Sequence, residues 1–115
     1  RNAVISVTGH RDIYIKYIND IICKGKKICG ILTEASSDGN ILSYAVVGIG
    51  INVFSCDMPE EIRSIAGSIE ETCGMIISRE MLLAEIINSF HDIITKMSID
   101  DIKTEYKNHL IGSEF

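Results

Sequence analysis

Two hydrophobic periodicities divide the chain. Up to about residue 54 the apolar positions come in short β-branched and aromatic runs, as strands do. IYIKYI (13–18) is one such run, and DIICKGKKICGILTEA (20–35) reads as two strands bent at Lys24-Gly25. SSDGN (36–40) is a turn in which Asp38-Gly39 is a strong hairpin signal, and ILSYAVVGIGINVF (41–54) is the next strand. From there the spacing becomes helical. Ile62, Ile65, Ala66, Ile69 and Cys73 predict one helix that Asp57 caps, with Pro59 in its first turn and Gly74 as its stop. Ser78 is placed to cap a second helix, whose wide apolar face runs from Met81 to Met97. Ser98 with Asp101 resembles a capping box opening a third, with Ile102, Tyr106 and Leu110 on it. Strands followed by helices predict an α+β fold, a largely antiparallel sheet with helices packed on one face.

The strand at 44–55 has an unusual composition. In YAVVGIGINVFS, Gly48, Gly50 and Asn52 occupy alternate positions and leave a bare stripe on one face. If Asp38 and Gly39 are the two central residues of the hairpin turn, Cys29 falls opposite Gly48 and Lys27 opposite Gly50, while Ile28, Gly30 and Leu32 share the core face with Val47, Ile49, Ile51 and Val53. A one-residue shift reverses the faces. In this register the two glycines make a flat floor, Lys27 supplies a cation for a carboxylate or phosphate, and Asn52 supplies a donor and an acceptor at the rim. The plainer alternatives are that the glycines admit a close-packed helix and that Lys27 is an ordinary solvated lysine. GxGxxG is not matched, because residue 53 is Val53.

Composition narrows the options. With 115 residues the chain fits one domain with a modest core, and a net charge of -5 argues against a broad nucleic-acid surface. Cys23, Cys29 and Cys73 lie in apolar patterns and are read as small core residues, and no CxxC or histidine spacing suggests zinc. No apolar run reaches the length of a membrane span, so the expected location is cytoplasmic. The domain is expected to occupy 1–111, with strands in 13–54 and helices in 58–110. GSEF (112–115) is either a vector-derived tail or native, and is left out of the fold argument.

Three segments together resemble a known family. Lys16-Tyr17-Ile18-Asn19-Asp20, Lys27-Ile28-Cys29-Gly30-Ile31-Leu32-Thr33-Glu34 and Gly48-Ile49-Gly50-Ile51-Asn52 match, in order and spacing, the KWPND, K(I/L)xGIL(V/I)E and GxGxN motifs of the central catalytic domain of biotin protein ligases. The resemblance implies a class II synthetase-like fold and a two-step reaction: biotin is activated with ATP and Mg²⁺ to biotinyl-5'-AMP, then passed to a lysine of a carboxylase's biotin carrier domain. It implies that Lys27 is catalytic and contacts biotin and the phosphate, that Gly30, Gly48 and Gly50 line the biotin site, and that Asn19 and Asn52 lie on the nucleotide side. Asp20 either holds Lys27 or an ion, or is a turn residue.

Two departures stand out. Tyr17-Ile18 replaces the family's Trp-Pro, and the family's basic glycine-rich loop is not in this sequence. The expectation is therefore a fragment inactive by itself, homo-oligomeric through an exposed sheet edge. The alternatives are a non-catalytic ligand-binding or dimerisation module of the same fold, or a relative of the lipoate–protein ligases.

Overall fold

The computed structural model describes residues 1–112. Four strands form an antiparallel meander: β1 (Ile13–Lys16), β2 (Asp20–Cys23), β3 (Lys26–Asp38) and β4 (Ile41–Ile51). The chain then runs through helices and returns as β5 (Leu110–Ile111), parallel to β1, so the sheet order is β4-β3-β2-β1-β5. The class is α+β, as expected.

The tight connections follow from local chemistry. Lys24 and Gly25 both take positive φ (50° and 77°), which turns β2 into β3 in two residues. The β3–β4 turn lies one residue beyond the predicted one: Asp38 pairs with Ile41, so Gly39 and Asn40 are its central residues, with Gly39 at φ 65°. Ser43 is then extra, since Ser37 pairs with Leu42 and Ser36 with Tyr44. Beyond that bulge Leu32 faces Gly48 and Gly30 faces Gly50. This corrects the expected register, in which Cys29 faced Gly48 and Lys27 faced Gly50.

A helix precedes the first strand, where no element was expected. α1 (Asn2–Thr8) is closed by Gly9 in the left-handed conformation, and it packs against the long helix with Ala3, Val4 and Thr8 buried. The helix expected from Asp57 to Gly74 is two short ones, α2 (Glu60–Arg63) and α3 (Ile69–Cys73). Pro59, not Asp57, stands at the N-cap of α2. The break is made by the sheet. The Lys27 amide donates to the Ile65 carbonyl at 2.8 Å, and the Gly67 amide donates to the Lys27 carbonyl at 3.0 Å, so Ala66 forms a single parallel bridge to Lys27 at the end of the helical turn. The fit at Gly67 is close, as a Cβ would come within 3.1 Å of the Lys26 side chain and 3.3 Å of Thr72. Ser68 restarts the helix by accepting from the Glu71 amide.

The last two helices follow the sequence reading. Ser78 caps α4 (Arg79–Lys96), and the Ser98–Asp101 capping box opens α5 (Ile99–Asn108). Leu110, expected on that helix, lies in β5 instead. The core gathers Val4 of α1, Ile13, Ile21 and Ile28 of the sheet, Ile69 of α3 and Leu82 of α4. Cys23, Cys29 and Cys73 are buried in it as free thiols, while Cys56 is exposed. Of the GSEF stretch, residues 113–115 lie outside the described residues.

Candidate functional site

The site is built on an irregularity in β3. Asp20 pairs with Gly30 and Ile21 with Cys29, but Ile22 pairs with Lys27, so Ile28 is an extra residue on β3. Ile28 and Cys29 are both buried, and the residues flanking them, Lys27 and Gly30, emerge together on the opposite face. The bulge thus brings Lys27 beside glycines from which simple alternation would separate it.

The resulting cradle spans three strands. Asp20, Gly30 and Gly50 lie in one row across β2, β3 and β4, with Leu32 and Gly48 in the next row. The side chain of Lys27 lies across Gly30: a Cβ there would meet Lys27 Cε at 3.2 Å and Nζ at 3.3 Å. Nζ is 3.1 Å from the Asp20 carboxylate, so the two side chains form an ion pair. Both side chains remain partly accessible, so the ammonium is held in place yet still open to an incoming anion.

The glycine floor is open. Added Cβ atoms on Gly48 and Gly50 would meet nothing closer than 3.6 Å and 4.0 Å, and only strand carbonyls at those distances. Among the described residues no helix packs on these glycines, so close helix packing does not account for them. The cradle, lined by Asp20, Lys27, Gly30, Leu32, Gly48 and Gly50 with parts of Ile31 and Ile49, offers a cation, a carboxylate and bare backbone for a flat ligand.

The two asparagines stand apart. Asn19 ends the tight turn after β1, in which the Tyr17–Ile18 peptide is cis, and its carbonyl accepts from the Ile31 amide at 3.0 Å. Asn52 follows β4 immediately. Its amide donates to the Ile28 carbonyl, its carbonyl accepts from the Ile69 amide, and its side-chain Nδ2 donates to the Gly67 carbonyl at 3.1 Å. Asn52 therefore joins the end of β4 to residues 67–69 and keeps its side-chain oxygen for another partner. Lys27, Gly30, Gly48 and Gly50 are brought together; Asn19 and Asn52 flank the cradle without lining it.

The opposite face has a different character. Ile15, Ile21, Ile31 and Ile51 there, with Ile86, Phe90 and Ile93 of α4, line an apolar cavity of about 290 Å³. Cys29 lies on this face and not beside the glycines, and burial pushes its thiol above the ordinary value. Sequence reasoning missed the 65–67 segment that pairs with Lys27. The one local signal was Gly67, a glycine inside the expected helix, since Ile65 and Ala66 keep the helical spacing.

Comparison with known proteins supplies the family. No protein-family model matches the chain. Over 78 residues it is 40% identical to the bifunctional ligase/repressor BirA of Bacillus spizizenii, covering 66% of this chain and 24% of that protein. A biotin protein ligase from Aquifex aeolicus, solved without ligand, superposes with a TM-score of 0.73 at 28% identity, over 96% of this chain and 48% of the other. The chain belongs to the biotin protein ligase family. A structure of the Aquifex aeolicus biotin protein ligase in complex with biotin and ATP matches this family member with a TM-score of 0.71 at 26% identity, over 96% of the chain and 46% of that ligase. The chain thus spans about a quarter of the length of the curated biotin ligase relatives and about half that of the solved ligases. No helix among the described residues is long and apolar enough to cross a membrane.

Proposed function

We propose that this chain is part of the catalytic domain of a biotin protein ligase, and that the cradle receives biotin where its carboxylate meets the α-phosphate of ATP. The observation that carries the reading is the Lys27 ammonium lying across Gly30, beside an open glycine floor and 3.1 Å from Asp20. Biotin's carboxylate attacks the α-phosphorus, the bond to the β-phosphate oxygen breaks, and pyrophosphate leaves with the electron pair. Two anions approach in that step, and a fixed cation between them offsets a repulsion that grows toward the transition state. Lys27 takes that role, with Asp20 orienting it. Gly30, Gly48 and Gly50 let the ligand lie against backbone, and Asn19 and Asn52 serve the nucleotide side, where the Asn52 side-chain oxygen can accept from an adenine amino group. A carrier-domain lysine then attacks the acyl carbon and displaces AMP.

Among the described residues no three His, Cys, Asp or Glu side chains gather as a metal site, and Asp20 is the cradle's one carboxylate. The residues do not build a resident Mg²⁺ site, so the ion enters with the ATP phosphates. These 115 residues contain no basic glycine-rich loop, and the reading holds that the chain alone transfers biotin poorly or not at all. β4 is a sheet edge whose residues are exposed from Ile41 to Gly50, and it is proposed to pair with a second copy in a homo-oligomer. The protein is proposed to work in the cytoplasm on a carboxylase carrier domain, with no nucleic-acid contact by this segment.

Equilibrium binding tests the site directly. Biotin is expected to bind the chain in preference to lipoate, and to be weakened by Lys27→Ala. Preference for lipoate would move the chain to the lipoate branch, and no binding of either would support a non-catalytic module. Incubation with ATP, Mg²⁺, biotin and a carrier domain tests inactivity, and robust transfer would refute it. Light scattering tests the oligomer, and a monomer at high concentration would end that part.

A further inference from the structure

Two of the four cysteines meet in the interior. Cys23 closes β2 and Cys73 closes α3, 50 residues apart in sequence, and their Sγ atoms lie 3.9 Å from each other, in contact. Both are buried. Each stands at the end of its element, Cys23 before the Lys24-Gly25 turn and Cys73 before Gly74 in the left-handed conformation. A bond needs the sulfurs to approach from 3.9 Å to about 2.05 Å, and element ends shift at less expense than element interiors. The same two regions are already joined by the ion pair between Lys26 and Glu71, so a covalent link would follow an existing contact. The other two cysteines are placed differently: the Cys29 Sγ lies 3.7 Å from the Gly30 carbonyl, and Cys56 is exposed on the surface.

We propose that Cys23 and Cys73 form a modification site, closing under oxidation to an intramolecular disulfide that clamps α3 to the β2–β3 hairpin. Two S–H bonds break and one S–S bond forms. Two electrons and two protons pass to a two-electron oxidant, either a low-molecular-weight disulfide or a peroxide. The link fixes α3, and with it residues 65–67, whose backbone pairs with Lys27. It thereby stiffens the support behind the cradle without occupying it. Burial holds the Cys73 thiol above its ordinary range, so closure is slow at neutral pH and quickens as pH rises.

The test uses the full chain carrying Cys56→Ser, which removes the exposed thiol. The protein is incubated with excess oxidised glutathione, then denatured in acid, alkylated and mapped by mass spectrometry. The expected result is a peptide joining Cys23 to Cys73 within one chain, with Cys29 alkylated. The melting temperature is expected to rise by about 10 °C and to return on reduction. Cys23→Ser and Cys73→Ser should each abolish the link, and the mapping of the protein with both cysteines stands even if either variant folds poorly. Three alkylated thiols after prolonged oxidation would overturn the proposal. So would a link through Cys29, a link only between two copies, or one that forms only in denaturant.

Discussion

On one face of the sheet, Gly30, Gly48 and Gly50 leave the backbone bare beside the Lys27 ammonium; on the other, Cys29, Ile31 and Ile51 turn toward the helices and line an apolar cavity. The strands are the same, and only the parity of the positions differs. Burial on the inner face holds the sheet in place. The outer face gives up side-chain packing at three positions and gains an open surface on which a planar ligand can lie. Ile28 links the two faces. As the extra residue of β3 it packs inward with Cys29, and in doing so sends Lys27 outward to join the glycines. Stability and binding should therefore respond separately to changes on the two faces, except at Ile28, where they should move together.

The largest effect is expected at that junction. Ile28 is fully buried, so Ile28→Ala removes three buried carbons and leaves a cavity, at a loss of about 3 kcal/mol in urea unfolding. Biotin binding should weaken in the same variant, because the bulge that aims Lys27 loses its inward anchor. Full stability with weakened binding would show that the bulge is held by backbone pairing alone.

Changes on the outer face should separate the two properties. A Cβ at Gly48 meets nothing closer than 3.6 Å, so Gly48→Val should leave stability unchanged or raise it by about 0.5 kcal/mol, since glycine weakens a strand. Biotin binding should fall at least about tenfold, equivalent to about 1.4 kcal/mol. Lys27→Met should give a similar loss of binding and little loss of stability, as an exposed ion pair contributes under about 1 kcal/mol. Isothermal titration and urea unfolding on the same samples check both. Undiminished binding by Gly48→Val would remove the floor from the site.

These expectations also show what the sequence could and could not convey. The Lys24-Gly25 turn, the Ser78 cap and the Ser98–Asp101 box were legible because each depends on a few adjacent residues. The register was not legible. The β3–β4 turn lies one residue further on, and Ser43 and Ile28 are bulges set by packing between distant segments. The shift across β3 and β4 is an odd number of residues, which inverts the faces, and the Ile28 bulge inverts Lys27 once more. Lys27 therefore remains with Gly48 and Gly50 as expected, while Cys29 leaves that face and Gly30 joins it. The helix expected over 58–74 failed for a related reason: residues 65–67 carry helical spacing, yet β3 offers their backbone better partners. α1 was missed because seven residues with three buried positions, Ala3, Val4 and Thr8, form too short a pattern to identify without α4 beside them.

A smaller effect is expected behind the cradle. Ser68 is fully buried, accepts from the Glu71 amide at 3.1 Å and lies 3.3 Å from the Ser55 hydroxyl. Ser68→Ala should lower stability by about 1 kcal/mol through loss of the α3 cap. Biotin binding should weaken by less than in Gly48→Val, because the Asn52 amide still holds the Gly67 carbonyl.

The smallest effect concerns the inner face alone. Burial pushes the Cys29 and Cys73 thiols above the ordinary value of 9.0, so the folded chain keeps them protonated where the unfolded chain would ionise them. A group whose pKa is raised on folding gives its full stabilisation below the unfolded value and loses it as pH rises through the folded one. Stability should therefore decline as pH rises past the unfolded thiol value of 9.0, measured by urea unfolding under reductant. Replacing Cys29 by alanine should flatten part of that decline relative to the parent, whatever its cost at neutral pH. Gly48→Val should leave the decline unchanged, since the outer face holds neither thiol. If Cys29→Ala retains the parent's full alkaline slope, Cys29 is not confined to the dry side of the sheet, and the division between the two faces fails at the strand where it should be sharpest.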